Sequence, residues 1–308
     1  MSKELIFGHQ SPDTDAIVAP KAFAYLQTKL GKDVEAVALG ELNEETKFVL
    51  DYFKEDAPRV IETASNEVDS VMLCDHNEPQ QSVNDIDKLT VTDVVDHHRI
   101  ANFNTEKPLF YRAEPVGCTS TILFEMFNEN KIEISAKLAG LMLSAIISDT
   151  LLLKSPTTTE KDILAVKELS KIADVNYEEY GIKMLKAGTN VDARSDQDLI
   201  DGDAKSFNMG GKSIRIDQIN TVDLNDVLKR KDDLISAMKS EADAEGYDLF
   251  LVIATNVLDS NSKAIIVGEP KDALEKAFNQ KVIDDTIDLP GVVSRKKQVV
   301  PPLNEIME

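Results

Sequence analysis

Four histidines occur in this chain of 308 residues, and each stands close to an aspartate. His9 lies in Gly-His-Gln-Ser-Pro-Asp-Thr-Asp with Asp13 and Asp15, His76 follows Asp75, and His97 and His98 follow Asp96. Asp149 adds another carboxylate behind the apolar run Ala-Ile-Ile-Ser, where burial is costly unless a cation or donor meets it. Clusters of imidazole and carboxylate bind divalent transition metals. All-oxygen sites suit calcium and magnesium and thiolates select zinc or iron-sulfur, whereas this mixed set favours manganese, cobalt, iron or zinc. Four carboxylates balance two divalent cations, and bridging carboxylates hold such ions about 3.5 to 4 Å apart, as in two-metal hydrolases. A dinuclear centre is the simplest arrangement. Taken singly, each piece has a plainer use: Asp13 and Asp15 at a helix N-terminus, the His-His pair in a solvated loop, Asp149 at a helix end. Their joint placement is what points to metal.

The elements that must position these residues follow from the apolar pattern. Short β-branched runs at 5–7, 34–39, 60–61, 71–73 and 91–95 alternate with helical segments such as 16–30. That alternation predicts a doubly wound α/β domain with a mostly parallel sheet. Each histidine motif lies just past the carboxyl end of a predicted strand, the edge where ligands bind in such sheets. Residues 135–148 are apolar almost all round and read as a buried helix. Another helix is expected at 162–173, with Thr158 as a hydroxyl cap. Periodicity fades at 187–198, the best linker candidate. Beyond it, 207–222 reads as a hairpin turning at Gly210-Gly211, 223–245 as one charged helix stopped by Gly246, 249–254 and 264–267 as strands, and 270–279 as a helix with proline at its start. The expected organisation is a first domain at 1–188, a hinge at 189–195 and a smaller α/β domain at 196–308.

Composition excludes several classes. A net charge of −21 opposes broad contact with nucleic acid or anionic membrane, although bound metals and a few basic side chains can reverse the sign locally for a small anion. The first residues lack a signal-peptide apolar core, and no stretch reaches the length of a membrane span. The two cysteines, Cys74 and Cys118, read as reduced thiols. These features fit a cytoplasmic protein.

The motifs G-H-Q-S-P-D-T-D, L-C-D-H-N-E, V-V-D-H-H-R and S-D-T, in this order, resemble the DHH phosphoesterase superfamily, and specifically the family II, manganese-dependent inorganic pyrophosphatases. D-G-D-A-K-S-F at 201–207 and S-R-K-K-Q at 294–298 are similar to that family's C-terminal signatures, so the resemblance spans essentially the whole chain. It implies a catalytic DHH domain followed by a substrate-binding DHHA2-type domain, with the active site between them and without nucleotide-binding inserts. It also implies that His9, Asp13, Asp75 and Asp149 hold one metal and Asp15, Asp75, His97 and Asp149 the other, with Asp75 and Asp149 bridging. His98, Lys205, Arg295 and Lys296 would then bind substrate and act in catalysis, while Asp96 and His76 orient ligands by hydrogen bonds. The implied reaction is hydrolysis of pyrophosphate to two phosphates by a metal-bridged hydroxide attacking phosphorus in line, with Lys, Arg and His stabilising the phosphates. Two Mn2+ per subunit are implied, with Co2+ or Mg2+ as substitutes, Mg2+ also accompanying the substrate, and a homodimer as the assembly.

Two other readings compete. An exopolyphosphatase or an oligonucleotide phosphodiesterase of the same superfamily usually carries a C-terminal glycine-rich motif with a histidine, and here no histidine follows His98. A noncatalytic metal-binding protein would leave His98, Lys205 and Arg295 without a task.

Overall fold

The apolar runs of the first part fold as β1 (Glu4–Phe7), α1 (Thr14–Lys29), β2 (Val34–Ala36), α2 (Glu44–Phe53), β3 (Ser70–Cys74), β4 (Thr90–Asp96), β5 (Phe110–Ala113), α3 (Thr119–Asn130), α4 (Ala136–Asp149), α5 (Glu160–Ala173) and α6 (Tyr177–Thr189). This computed structural model describes residues 3–308, which divide into two units, Met1–Gly188 and Thr189–Glu308.

In the first unit five strands pair in the order β2-β1-β3-β4-β5, every pair parallel. Strands buried on both faces read as continuous apolar runs, and Val71, Met72, Leu73, Val94 and Val95 are all fully covered. The chain moves outward from β1 to β2 and then returns to the other side of β1 as β3. That reversal opens the crevice at the carboxyl ends of β1 and β3, the switch point where this class of fold takes its ligands. Helix α4 is buried along most of its length, as its near-uniform apolar sequence predicts.

The second unit contains α7 (Asp196–Asp201), β6 (Lys205–Met209), β7 (Lys212–Thr221), α8 (Leu224–Leu228), α9 (Lys231–Glu245), β8 (Leu249–Asn256), β9 (Asn261–Gly268), α10 (Lys271–Phe278), β10 (Thr286–Pro290) and α11 (Val300–Met307). Its sheet runs β10-β9-β8-β7-β6, with β7 and β8 parallel and the remaining neighbours antiparallel. Alternation along β8 splits its side chains between two cores: Leu249, Leu251 and Ile253 on one face, Phe250, Val252 and Ala254 on the other. The hairpin between β6 and β7 turns at Gly210 and Gly211, both at positive φ, as a two-residue turn of this kind requires.

Several expected elements differ. The run at 60–61 forms a single bridge, Val60 to Ala38, in place of a strand, and Val60 is half exposed. The run at 34–39 ends as a strand at Ala36. The cap of α5 is Thr159, not Thr158, and it forms a capping box with Asp162. Part of the expected linker is helical, because α6 continues to Thr189 and a short 3-10 turn occupies Val191–Ala193. The expected single helix at 223–245 is broken between α8 and α9. There Arg230 turns away to donate to the carbonyls of Val191 and Arg194 at 2.9 and 2.8 Å and to Asp196; these partly buried contacts outweigh the propensity to continue. No helix among the described residues is long and apolar enough to cross a membrane.

Candidate metal centre

Gly8 ends β1 so close to the first turn of α1 that a Cβ there would fall 2.2 Å from the Ala16 carbonyl oxygen. Only glycine permits this approach, and it brings His9 beside the acidic start of α1. Asp13 caps that helix by accepting from the Ala16 N–H at 3.0 Å. Its other oxygen lies 3.5 Å from His9 Nε2, so the carboxylate serves both the helix and the cluster. Asp75 follows β3 in a left-handed conformation, φ 60°, rare for a non-glycine residue and typical of functional turns. One of its oxygens lies 3.6 Å from His9 Nε2, the other 3.3 Å from His97 Nε2. Asp149, the last residue of α4, approaches the same His97 nitrogen at 4.0 Å.

Potential ligand atoms converge in three overlapping groups: His9, Asp13 and Asp75; Asp15, His97 and Asp149; and Asp75, His97 and His98, with the atoms of each group within 4.8 Å of one another. Asp75 belongs to two of them. The Nδ1 atoms of His9 and His97 bond the carbonyls of Gln10 and Val116 at 2.8 and 3.0 Å, which leaves each Nε2 free for a metal. His98 differs. Its Nδ1 bonds buried Asp96 at 3.0 Å, and its side chain is half exposed. Asp96 is held in turn by Asn77 at 2.6 Å. His76 is fully buried and bonds the Cys74 carbonyl and Ser82, which removes it from the cluster.

The electrostatics test whether the donor set fits a metal. Burial, with the nearby charge of Asp75, pushes Asp15 up to about 7, and burial with the charges of Asp15 and Asp75 raises Asp149 well above the usual carboxylate range. Among the described residues no lysine or arginine pairs with Asp13, Asp15, Asp75 or Asp149; the ion-pair partners of Asp13, Asp75 and Asp149 are histidines. Burial pulls His9 and His97 down, but hydrogen bonds to Asp13 and Asp75 and the surrounding negative charge outweigh it and bring both to about 9. Protons are thus doing the neutralising that divalent cations would do. The oxygen and imidazole donors fit manganese or a similar ion.

The cationic residues expected to meet substrate lie in the second unit. Lys205 opens β6, exposed and opposite Ile216 of β7. Arg295 also reaches that point: its guanidinium donates to the Ile216 carbonyl at 3.2 Å and pairs with Asp203 at 2.9 Å. Its backbone N–H donates to Gln218 at 2.9 Å. Arg295 begins a one-turn π-helical segment, Arg295–Val299, of the kind often found at functional sites. Ser294 and Gln298 of the S-R-K-K-Q run bond its backbone, while Lys296 is exposed.

Several positioning residues escape sequence reasoning. Thr119 and Ser120, at the start of α3, donate to Asp15 at 2.8 and 2.6 Å, and the Thr119 hydroxyl reaches Asp75 at 3.1 Å. Partly buried Glu45 accepts from Thr14, between Asp13 and Asp15, and from Ser148, next to Asp149. Asp203 and Gln218 hold Arg295. Their only signal is a hydroxyl, carboxylate or carboxamide at an ordinary helix-start, loop or strand position, which capping or routine hydrogen bonding explains equally well.

Comparisons with known proteins agree with this geometry. The model of the DHH family, N-terminal domain, matches residues 3–146, and that of the DHHA2 domain matches residues 182–306. A protein of Lactiplantibacillus plantarum named "Probable manganese-dependent inorganic pyrophosphatase" is 67% identical over 99% of both chains. One of the same name from Lactobacillus gasseri is 64% identical over the full length of both. Among solved structures, a Methanococcus jannaschii protein named as a family II inorganic pyrophosphatase superposes with a TM-score of 0.63, at 38% identity over 99% of both chains. With its metal-ligand motifs at the switch point of a parallel sheet and full-length similarity at this level, the chain belongs to the family II, manganese-dependent inorganic pyrophosphatases.

Proposed function

We propose that the protein hydrolyses inorganic pyrophosphate to two phosphates with manganese as its metal. The observation that carries this reading is the carboxylate and imidazole cluster at the β1/β3 switch point, partly buried and, among the described residues, without a lysine or arginine paired to it. His9, Asp13, Asp75 and Asp149 would hold one Mn2+, and Asp15, Asp75, His97 and Asp149 the second, with Co2+ or Mg2+ as substitutes. Bound there, two divalent cations would supply Lewis acidity toward the phosphate oxygens and a nucleophile at neutral pH.

The chain's own residues do the rest. Asp96 fixes the His98 ring through Nδ1, so Nε2 is the atom that donates a hydrogen bond or proton to the departing phosphate oxygen in an in-line displacement. Lys205, Arg295 and Lys296 neutralise the phosphates. Arg295, with its fork already oriented by Asp203, suits paired phosphate oxygens, while the lysines act as movable point charges. Residues 189–195 would act as the hinge between the catalytic and substrate-binding domains. Buried, unpaired Cys74 and Cys118 support a reduced, cytoplasmic setting, and a homodimer is the assembly expected of this family.

The test is phosphate release by metal-stripped protein supplied with Mn2+, Co2+ or Mg2+, with polyphosphate and a dinucleotide beside pyrophosphate. Mn2+-dependent turnover of pyrophosphate alone is the expected result; preference for either other substrate would move the assignment to a sister phosphoesterase.

The protonation states give a second expectation. At pH 7 His9 and His97, both near 9 without metal, carry protons that Mn2+ must displace. Metal uptake should therefore release the two imidazole protons together with those that raised Asp15 and Asp149 still carry, at least about two in all, and weaken as the pH falls below about 9. Calorimetric titration in buffers of different ionisation enthalpy reads the count directly, and uptake without proton release would contradict the ligand assignment.

A further inference from the structure

The six residues assigned to the metals come from β1, α1, β3, β4 and α4, yet one short segment touches three of them. Along residues 116–120, the Val116 carbonyl bonds His97 Nδ1 at 3.0 Å. The Thr119 N–H and the Ser120 hydroxyl bond the two oxygens of Asp15 at 2.8 and 2.6 Å, and the Thr119 hydroxyl bonds Asp75 at 3.1 Å. The segment is gripped on both sides by one carboxylate from another helix. Asp162, fully buried in the first turn of α5, accepts the Gly117 N–H at 2.9 Å on one oxygen and the Thr121 hydroxyl at 2.6 Å on the other. The first oxygen also accepts the Thr159 N–H and hydroxyl, each at 2.7 Å.

A capping box uses its third-position carboxylate only to return a bond to the cap residue. Asp162 does this and, in addition, fixes Gly117 and Thr121. Among the described residues it has no cationic partner, and losing its carboxylate leaves the buried Gly117 N–H and Thr121 hydroxyl without this acceptor.

We infer that Asp162 is a positioning residue for the metal centre: it clamps residues 117–121 so that Val116, Thr119 and Ser120 present His97, Asp15 and Asp75 in ligand geometry. This rests on the assignment of those three residues as manganese ligands. Hydrogen-bond partners that orient ligands typically change metal affinity about 10- to 100-fold when lost.

The experiment is Mn2+ titration of metal-stripped protein, with free Mn2+ followed by electron paramagnetic resonance and melting temperature recorded on the same samples. Asp162→Asn and Thr121→Val should each weaken Mn2+ binding about 10- to 100-fold, and Thr121→Ser should restore it. Thr159→Ala removes a cap hydroxyl from the same carboxylate without touching the grip on Gly117 and Thr121. It should lower the melting temperature by a few degrees while leaving Mn2+ affinity within about twofold. Should Asp162→Asn not fold, Thr121→Val carries the test alone. Affinity within twofold of the parent for Thr121→Val, or an equal loss in Thr159→Ala that follows the melting temperature, would overturn the inference. A parent protein that binds no Mn2+ would instead overturn the reading of the centre itself.

Discussion

Replacing Asp75 by asparagine is expected to lower pyrophosphate hydrolysis by ~10³-fold or more and to remove the rise in melting temperature that Mn2+ produces in the parent. Asp75 is the residue whose two oxygens face both His9 and His97, so a single substitution removes charge from both proposed metal positions. Asparagine is the informative replacement because it tolerates the left-handed backbone at φ 60°, whereas alanine would add strain of its own. The metal-free variant provides the control. The charge of Asp75 repels Asp15 and Asp149 but attracts the protonated His9 and His97, so the Mn2+-dependent shift is read within each protein, against its own stripped form. A variant that keeps the Mn2+-dependent shift together with more than a tenth of the activity would remove Asp75 from the bridging role.

Replacing His98 by alanine should reduce kcat by about 10²- to 10³-fold while Mn2+ affinity stays within about twofold. The geometry makes this a decision between two roles, because His98 also groups with Asp75 and His97 as a potential ligand triad. Its nitrogen nearest Asp75, Nδ1 at 3.6 Å, is the one already bonded to Asp96 at 3.0 Å, and the ring is half exposed. Both features favour a group that meets substrate over one that meets metal. Stopped-flow phosphate release gives kcat, and the Mn2+ titration separates the roles: a parallel loss of affinity would make His98 a ligand.

The ligand motifs were legible because the chemistry is carried by scarce residue types, and because a parallel strand buried on both faces is written as an unbroken apolar run. Val94 and Val95 announce β4, and the two histidines follow it directly. The strand order was less legible, since nothing local tells β3 to return beside β1. β5, Phe-Tyr-Arg-Ala at the edge of the sheet, is partly exposed and lacks the apolar run that marks its neighbours. The break at Arg230 comes from a side chain that satisfies carbonyls more than thirty positions away, beyond the reach of any periodicity. Asp162 illustrates the general limit. In the sequence it is one more acidic residue in the first turn of a helix, and only the folded chain brings it to Gly117 and Thr121.

The spread of the proposed ligand positions, from 9 through 75 and 97 to 149, has a consequence for the lifetime of the protein. A cation held by residues this far apart in the chain acts as a reversible cross-link that closes several long loops at once, and the entropy it removes from the unfolded chain resembles that removed by a disulfide. Binding only the native state, at a hundredfold excess over Kd it would add about 2.7 kcal/mol per site. A chelator would then act on this enzyme as a reductant acts on a secreted domain, exposing it to proteases as well as silencing it. Metal supply would set how long each molecule survives, and not only how fast it turns over.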